Sequence, residues 1–113
     1  MRVFEIEGYA GSYESLTTAV VVGFTAGNIL PTSGNYEAKK ARAALISVET
    51  ADIRFTLDKT TPTTTATSAV GHLLSSGGSF IITGESNITN FRCINAIASS
   101  GAVVKCTYFY GSE

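Results

Sequence analysis

Few residues in this chain have the types and spacing for chemistry. It has two cysteines, Cys93 and Cys106, one histidine, His72, and nine carboxylates. A zinc or other soft-metal site needs three or four ligands at usable spacing, and the two thiols have no third or fourth partner in sequence. No secretory signal accompanies them, so a disulfide is disfavoured, and the reading is two reduced, buried thiols. His72 stands in Val70-Gly-His-Leu-Leu74 beside Ser75 and Ser76. A catalytic histidine needs an acid or nucleophile held against it, and no triad can be assembled from this spacing. The carboxylates are dispersed, with no pair placed for acid–base work on a glycoside. Asn87-Ile-Thr89 matches a glycosylation acceptor but has no meaning without secretion. The expectation is a chain that is not an enzyme, with no catalytic residue, no metal and no cofactor.

The cysteines direct attention to the strands that would carry them. Asn90 to Tyr110 reads as a hairpin bent about Ser99-Ser100. Phe91 then lies opposite Tyr108, Cys93 opposite Cys106 and Asn95 opposite Val104. That row is the better core face, and Arg92, Ile94, Lys105, Thr107 and Phe109 fall on the other. Ala44 to Asp58 shows the same design more clearly. Folding it about Ala51-Asp52 sets Val48 against Phe55 and Ile46 against Leu57, while Glu49 meets Arg54 and Ser47 meets Thr56. One register serves both faces, the mark of a hairpin with a wet and a dry side. A two- or four-residue loop preserves that register and a three-residue loop destroys it. Each large apolar side chain of the dry row contributes roughly 1.5–3 kcal/mol when fully buried.

The remaining elements are shorter. Met1 to Glu7 alternates like a strand. Gly8 to Ser15 is a Gly/Tyr/Ser loop. Leu16 to Phe24 is a β-branched run whose apolar second half suits a strand covered on both faces. Ala26 to Asn35 is dense in turn residues and forms the best internal boundary. Glu37 to Ala43 has the propensity for one helical turn. Lys59 to Ser68, rich in threonine, is a surface loop. Val70–Leu74 and Ser79–Thr83 are strands about the Ser75–Gly78 turn, and Glu85–Asn90 is a connection with Ile88 tucked in. The fold class is all-β: an antiparallel β-sandwich, jelly-roll-like or immunoglobulin-like, of about seven or eight short strands in one domain over residues 1–113. Residues 1–35 either complete that sandwich or form an arm that pairs with a partner's sheet edge. The candidate interface is Val3, Phe4, Ile6, Tyr9, Tyr13, Val20, Val21 and Val22.

Charge narrows the partners. The net charge is −1 with 15% charged residues. Lys39-Lys40 and Arg42 make the only basic cluster, which argues against a broad nucleic-acid-binding face. No apolar run is long enough for a transmembrane helix. A threonine- and alanine-rich coat of low charge suits either a weakly charged monomer or a protein held in an assembly. Tyr9, Tyr13, Tyr108 and Tyr110 offer flat apolar platforms, suited either to sugars or to an interface and core edge.

The order Ile46-Ser-Val-Glu-Thr-Ala-Asp-Ile-Arg-Phe-Thr-Leu-Asp58, Thr61-Pro-Thr63, Val70-Gly-His-Leu-Leu74, Asn90-Phe-Arg92 and Val104 to Phe109 resembles small β-sandwich virion proteins of tailed bacteriophages, in particular head decoration (cement) proteins. The resemblance covers residues 43–110. Similar proteins carry a glycine after the aspartate that ends the hairpin; Lys59 stands there here. The resemblance implies a homo-oligomer on the capsid surface, made in the host cytoplasm, with the major capsid protein or other virion proteins as partners. A neck, tail or fibre-base component is the alternative it implies. A carbohydrate-binding sandwich module is the alternative that the tyrosines raise.

Overall fold

The computed structural model describes residues 9–64 and 69–111. Seven strands and two short helices follow in the order β1 (Tyr9–Thr17), α1 (Ala26–Ile29), β2 (Ala41–Glu49), β3 (Ile53–Thr56), β4 (His72–Leu74), β5 (Ser79–Thr83), α2 (Glu85–Thr89), β6 (Arg92–Asn95) and β7 (Val103–Tyr110). They form two antiparallel sheets, β1-β7-β2-β5 and β4-β3-β6. The all-β sandwich expected from the strand pattern is therefore present.

Neither expected hairpin forms. β2 and β3 lie in different sheets, as do β6 and β7. The partners are exchanged: β2 pairs with β7, setting Ile46 beside Cys106 and Val48 beside Val104, and β3 pairs with β6, setting Phe55 beside Cys93. The two sequence segments are stacked arches, each crossing from one sheet to the other. Thr50 (φ 77°) turns the first crossing, where Ala51 N donates to Glu49 O at 2.9 Å. Ser99 (φ 62°) and Gly101 (φ 79°) turn the second. The reason is physical. Two apolar rows can meet by pairing side by side or by facing each other across a sandwich, and burial rewards both alike. Glu49 consequently pairs with Val103 and is exposed, while Arg54 Nη1 donates to Gly71 O at 3.1 Å, in the other sheet.

The core rows themselves were read correctly in large part. Ile46, Val48, Ile53, Phe91, Cys93, Val104, Cys106 and Tyr108 are all buried. Leu57 is not, being 36% exposed just past the end of β3. Phe24 stacks on Phe91 with centroids 4.4 Å apart, and Phe55 of one sheet stacks on Phe80 of the other at 4.9 Å. Such aromatic pairs contribute about 0.5–1.5 kcal/mol beyond burial.

Two further expectations are corrected. The stretch placed in a Gly/Tyr/Ser loop is the long edge strand β1, with a bulge at Gly11. A Cβ on Gly11 would come within 2.7 Å of the Tyr36 ring and 2.8 Å of the Tyr110 ring, so the glycine is there for packing. The run Leu16–Phe24 is not a central strand: Leu16 and Thr17 end the edge strand β1, and beyond them only Val22 pairs, in an isolated bridge to Cys93. Residues 37–43, which propensity alone left open between a helical turn and none, form no helix: a turn ends at Ala38 (φ 63°) and β2 begins at Ala41. Val70–Leu74, Ser79–Thr83 and the buried Ile88 match expectation closely, with β4 starting at His72. The strand expected over Met1–Glu7 lies outside the described residues.

Candidate functional site

Alternation along the strands of the larger sheet separates two faces. Val104, Cys106, Tyr108 and Tyr110 of β7 point into the core, and Val103, Lys105, Thr107 and Phe109 point out. Glu14 and Leu16 of β1 turn inward, leaving Tyr13, Ser15 and Thr17 outside. Cross-strand register then builds three outer rows. Tyr13, Thr107, Leu45 and Ile81 make the middle row. Ser15, Lys105, Ser47 and Ser79 flank it on one side, and Ala10, Phe109, Ala43 and Thr83 on the other. Lys105 is the sole charge in these rows. Tyr13 is 60% exposed. An outer face with one charge and large apolar groups on all four strands is the candidate contact surface of the described residues.

Behind this face two polar clusters hold the crossing segment between β1 and α1. At its start, Thr18 Oγ1 donates to Asn95 Oδ1 at 2.5 Å and lies 3.1 Å from Ala102 O. Ala102 N also donates to Asn95 Oδ1, at 3.2 Å, and Asn95 N to Thr18 O at 2.8 Å. All three residues are buried, and every group is neutral. At the segment's far end, Glu14 accepts from Tyr108 Oη, from Thr25 Oγ1 at 2.7 Å and from Thr25 N at 3.1 Å. Burial works against the ionised carboxylate, but these bonds and one from Asn28 together hold it below the usual carboxylate range. Tyr110 Oη donates to Asn28 O, with Ser12 Oγ at 3.0 Å, and its ring stacks on Tyr36 at 4.8 Å. Burial first, and then the bond to Glu14, push the Tyr108 phenol far up.

The expected site residues scatter. Val3, Phe4 and Ile6 lie outside the described residues. Tyr9 and Tyr13 are exposed on β1, and Val20 is exposed in the crossing segment, while Val21 and Val22 are half-buried. Tyr108 and Tyr110 belong to the core, so they offer no platform to a ligand. Of the expected interface residues only Tyr13 stands in these outer rows, and the outward residues of β7, β2 and β5 fall outside that expectation. The signal lay in Lys105, Thr107 and Phe109, the row set aside as the poorer core face. Cys93 and Cys106 are both free and buried, and desolvation pushes each thiol up to about 12. His72 is exposed, its ring 5.4 Å from that of Phe55. Among the described residues no three His, Cys, Asp or Glu side chains are grouped to hold a metal, and no helix is long and apolar enough to cross a membrane.

No protein-family model matches this chain, and no curated protein or solved structure matches it.

Proposed function

We propose that this chain is a structural protein that works by surface contact in a larger assembly. The observation that carries this reading is the outer face of the β1-β7-β2-β5 sheet, where Tyr13, Leu45, Ile81 and Phe109 lie in rows with a single charge, Lys105. Four strands about 4.8 Å apart and some six residues long make a patch of about 300 Å². A standard interface buries about 800 Å² per partner. One copy docked by this face alone binds weakly, and an oligomer touching several partner subunits gains through effective concentration.

The edge strand supplies a route to that oligomer. Among the described residues β1 pairs with β7 alone. It carries no Lys, Arg or Pro, the residues that commonly blunt an edge, and its one charge, Glu14, is turned inward. Two copies joined antiparallel along β1 must keep inward residues opposite inward ones. A twofold axis at Glu14 would oppose two carboxylates. An axis at Tyr13 instead sets Glu14 against the partner's Ser12, and the tyrosines meet on the outside. Tyr13→Lys, which opposes two ammonium groups at that axis, should return the protein to monomer in light scattering. An unchanged mass rejects this edge.

The assembly proposed is a tailed-phage virion, and the role a head decoration protein bridging major capsid subunits. This rests on the sequence order from residue 43 to residue 110 and on the weakly charged face. Mixing the protein with undecorated capsids of the phage that encodes it should give saturable, stoichiometric binding, abolished by Leu45→Glu with Ile81→Lys. No binding at any salt concentration overturns the capsid role. Gene adjacency to tail rather than capsid genes would move it to the neck or tail. A carbohydrate-binding role is the second reading, favoured by Tyr9 and Tyr13, at 55% and 60% exposed. A glycan array without signal removes it.

A further inference from the structure

Lys39 and Lys40, just before β2, and Arg42 within it stand beside an open cleft of about 470 Å³. Its other walls are Ala41, Gly84, Glu85 and Gly111. Local structure explains the gathering of charge. Ala41 is fully buried, so alternation turns Lys40 and Arg42 outward on either side of it. Lys39 N donates to Tyr36 O at 3.0 Å, ending the turn that delivers the chain to β2. Gly84 N donates to Arg42 O at 3.0 Å, which fixes the backbone under the arginine. Two walls are glycine and add no bulk; a Cβ on Gly111 would lie 3.9 Å from Arg42 Nη1. Among the described residues none of the three cations is paired with a carboxylate. Among the described residues Glu85 is the cleft's one acid, and its carboxylate accepts from Thr89 Oγ1 at 3.0 Å.

We propose that this cleft is a binding site for a small ligand carrying two linked phosphoryl groups. Among the described residues three cations against one carboxylate give the lining a charge of +2, on a protein whose net charge is −1. A single phosphoryl group brings about −1.5 to −2 at neutral pH, and two linked groups bring more. The fork of Arg42 matches two oxygens of one phosphoryl group, and the lysines act as point charges on the second. The cleft has room for such a ligand, since one water occupies only about 30 Å³. The site is independent of the sheet face and of any virion role.

Titration with inorganic pyrophosphate at low salt, followed by amide chemical shifts, tests it. Saturable shifts should centre on Lys40, Arg42, Gly84 and Gly111, with affinity at least tenfold above that for inorganic phosphate. Removing two charged hydrogen-bond donors with Lys40→Gln plus Arg42→Gln should weaken binding by about tenfold or more. Glu85→Gln should tighten it, which keeps the test decisive if the double variant folds poorly. Lys105→Gln removes the same charge from the sheet face and should change nothing. Shifts spread over all lysines, equal affinity for the two anions, or an equal loss in Lys105→Gln would overturn the site.

Discussion

The two polar clusters that clamp the crossing segment do the same mechanical task with different chemistry. Thr18, Asn95 and Ala102 form a neutral knot sealed from water. Glu14, Thr25, Asn28 and Tyr108 form an ionised latch that is half-buried. The neutral knot is costly to break because its groups have no water to turn to. The ionised latch is cheaper to break, being partly screened, but it depends on pH. The comparison shows how a small sandwich without a disulfide closes both ends of a long crossover: one clamp supplies strength and the other sensitivity to conditions.

Breaking the knot should have the largest effect. Asn95→Leu leaves the buried Ala102 N–H without an acceptor, whereas Thr18 keeps the Ala102 carbonyl within reach. The expected loss is about 2 kcal/mol, the cost of one unsatisfied buried donor with some strain added. Urea denaturation should show that loss unchanged between pH 7 and pH 4, since no group in the knot titrates there. A loss that varied with pH would show the clamps to be coupled. Glu14→Gln should cost less, about 1 kcal/mol at pH 7, because the latch is partly solvated. Its pH dependence carries the distinction. The folded carboxyl lies below its ordinary value of 4.5, so its contribution is present above that value and is lost as pH falls through the folded one. The wild type and Glu14→Gln should therefore converge in denaturation midpoint below pH 4.5. A constant gap down to pH 3 would refute the latch. Tyr110→Phe removes the hydroxyl's contacts to Asn28 O and Ser12 Oγ while the Tyr36 stack survives, and should cost only about 0.5–1.5 kcal/mol in the same assay.

The same comparison marks what the sequence could tell. The rows Ile46-Val48, Phe91-Cys93-Asn95 and Val104-Cys106-Tyr108 were legible because period-2 alternation reports burial directly. Their partners were not, since alternation fixes which face a residue takes and leaves open whether two rows pair or oppose. Thr50 at φ 77° marks the crossing, and nothing in a threonine announces a left-handed conformation. The outer face was hidden for the related reason that Lys105, Thr107 and Phe109 read as a row away from the core, while only the strand pairing sets Leu45 and Ile81 beside it. The latch was invisible: Glu14 and Tyr108 are 94 residues apart, and only β1–β7 pairing brings them together. The basic cluster was legible as composition, but its cleft depends on Gly84 and Gly111, which the sequence places 42 and 69 residues away from Arg42.

The smallest effect is expected at the thiols, and they sharpen the comparison because each sits beside one clamp. Cys106 is the cross-strand partner of Glu14, whereas Cys93 lies two residues before Asn95. Both are buried and pushed up to about 12 from an ordinary value of 9.0. The reactive thiolate is then much scarcer in the folded protein than in the unfolded chain at pH 8. Access is restricted as well, so native labelling should be almost undetectable over hours and should reach two thiols only in denaturant. In Glu14→Gln the latch is weakened while the knot is intact, so Cys106 should label before Cys93. In Asn95→Leu the order should reverse. Equal rates in both variants would mean that the thiols are exposed only by global unfolding. The clamps would then be parts of one cooperative unit, and the distinction between a strong end and a sensitive end would hold for pH alone.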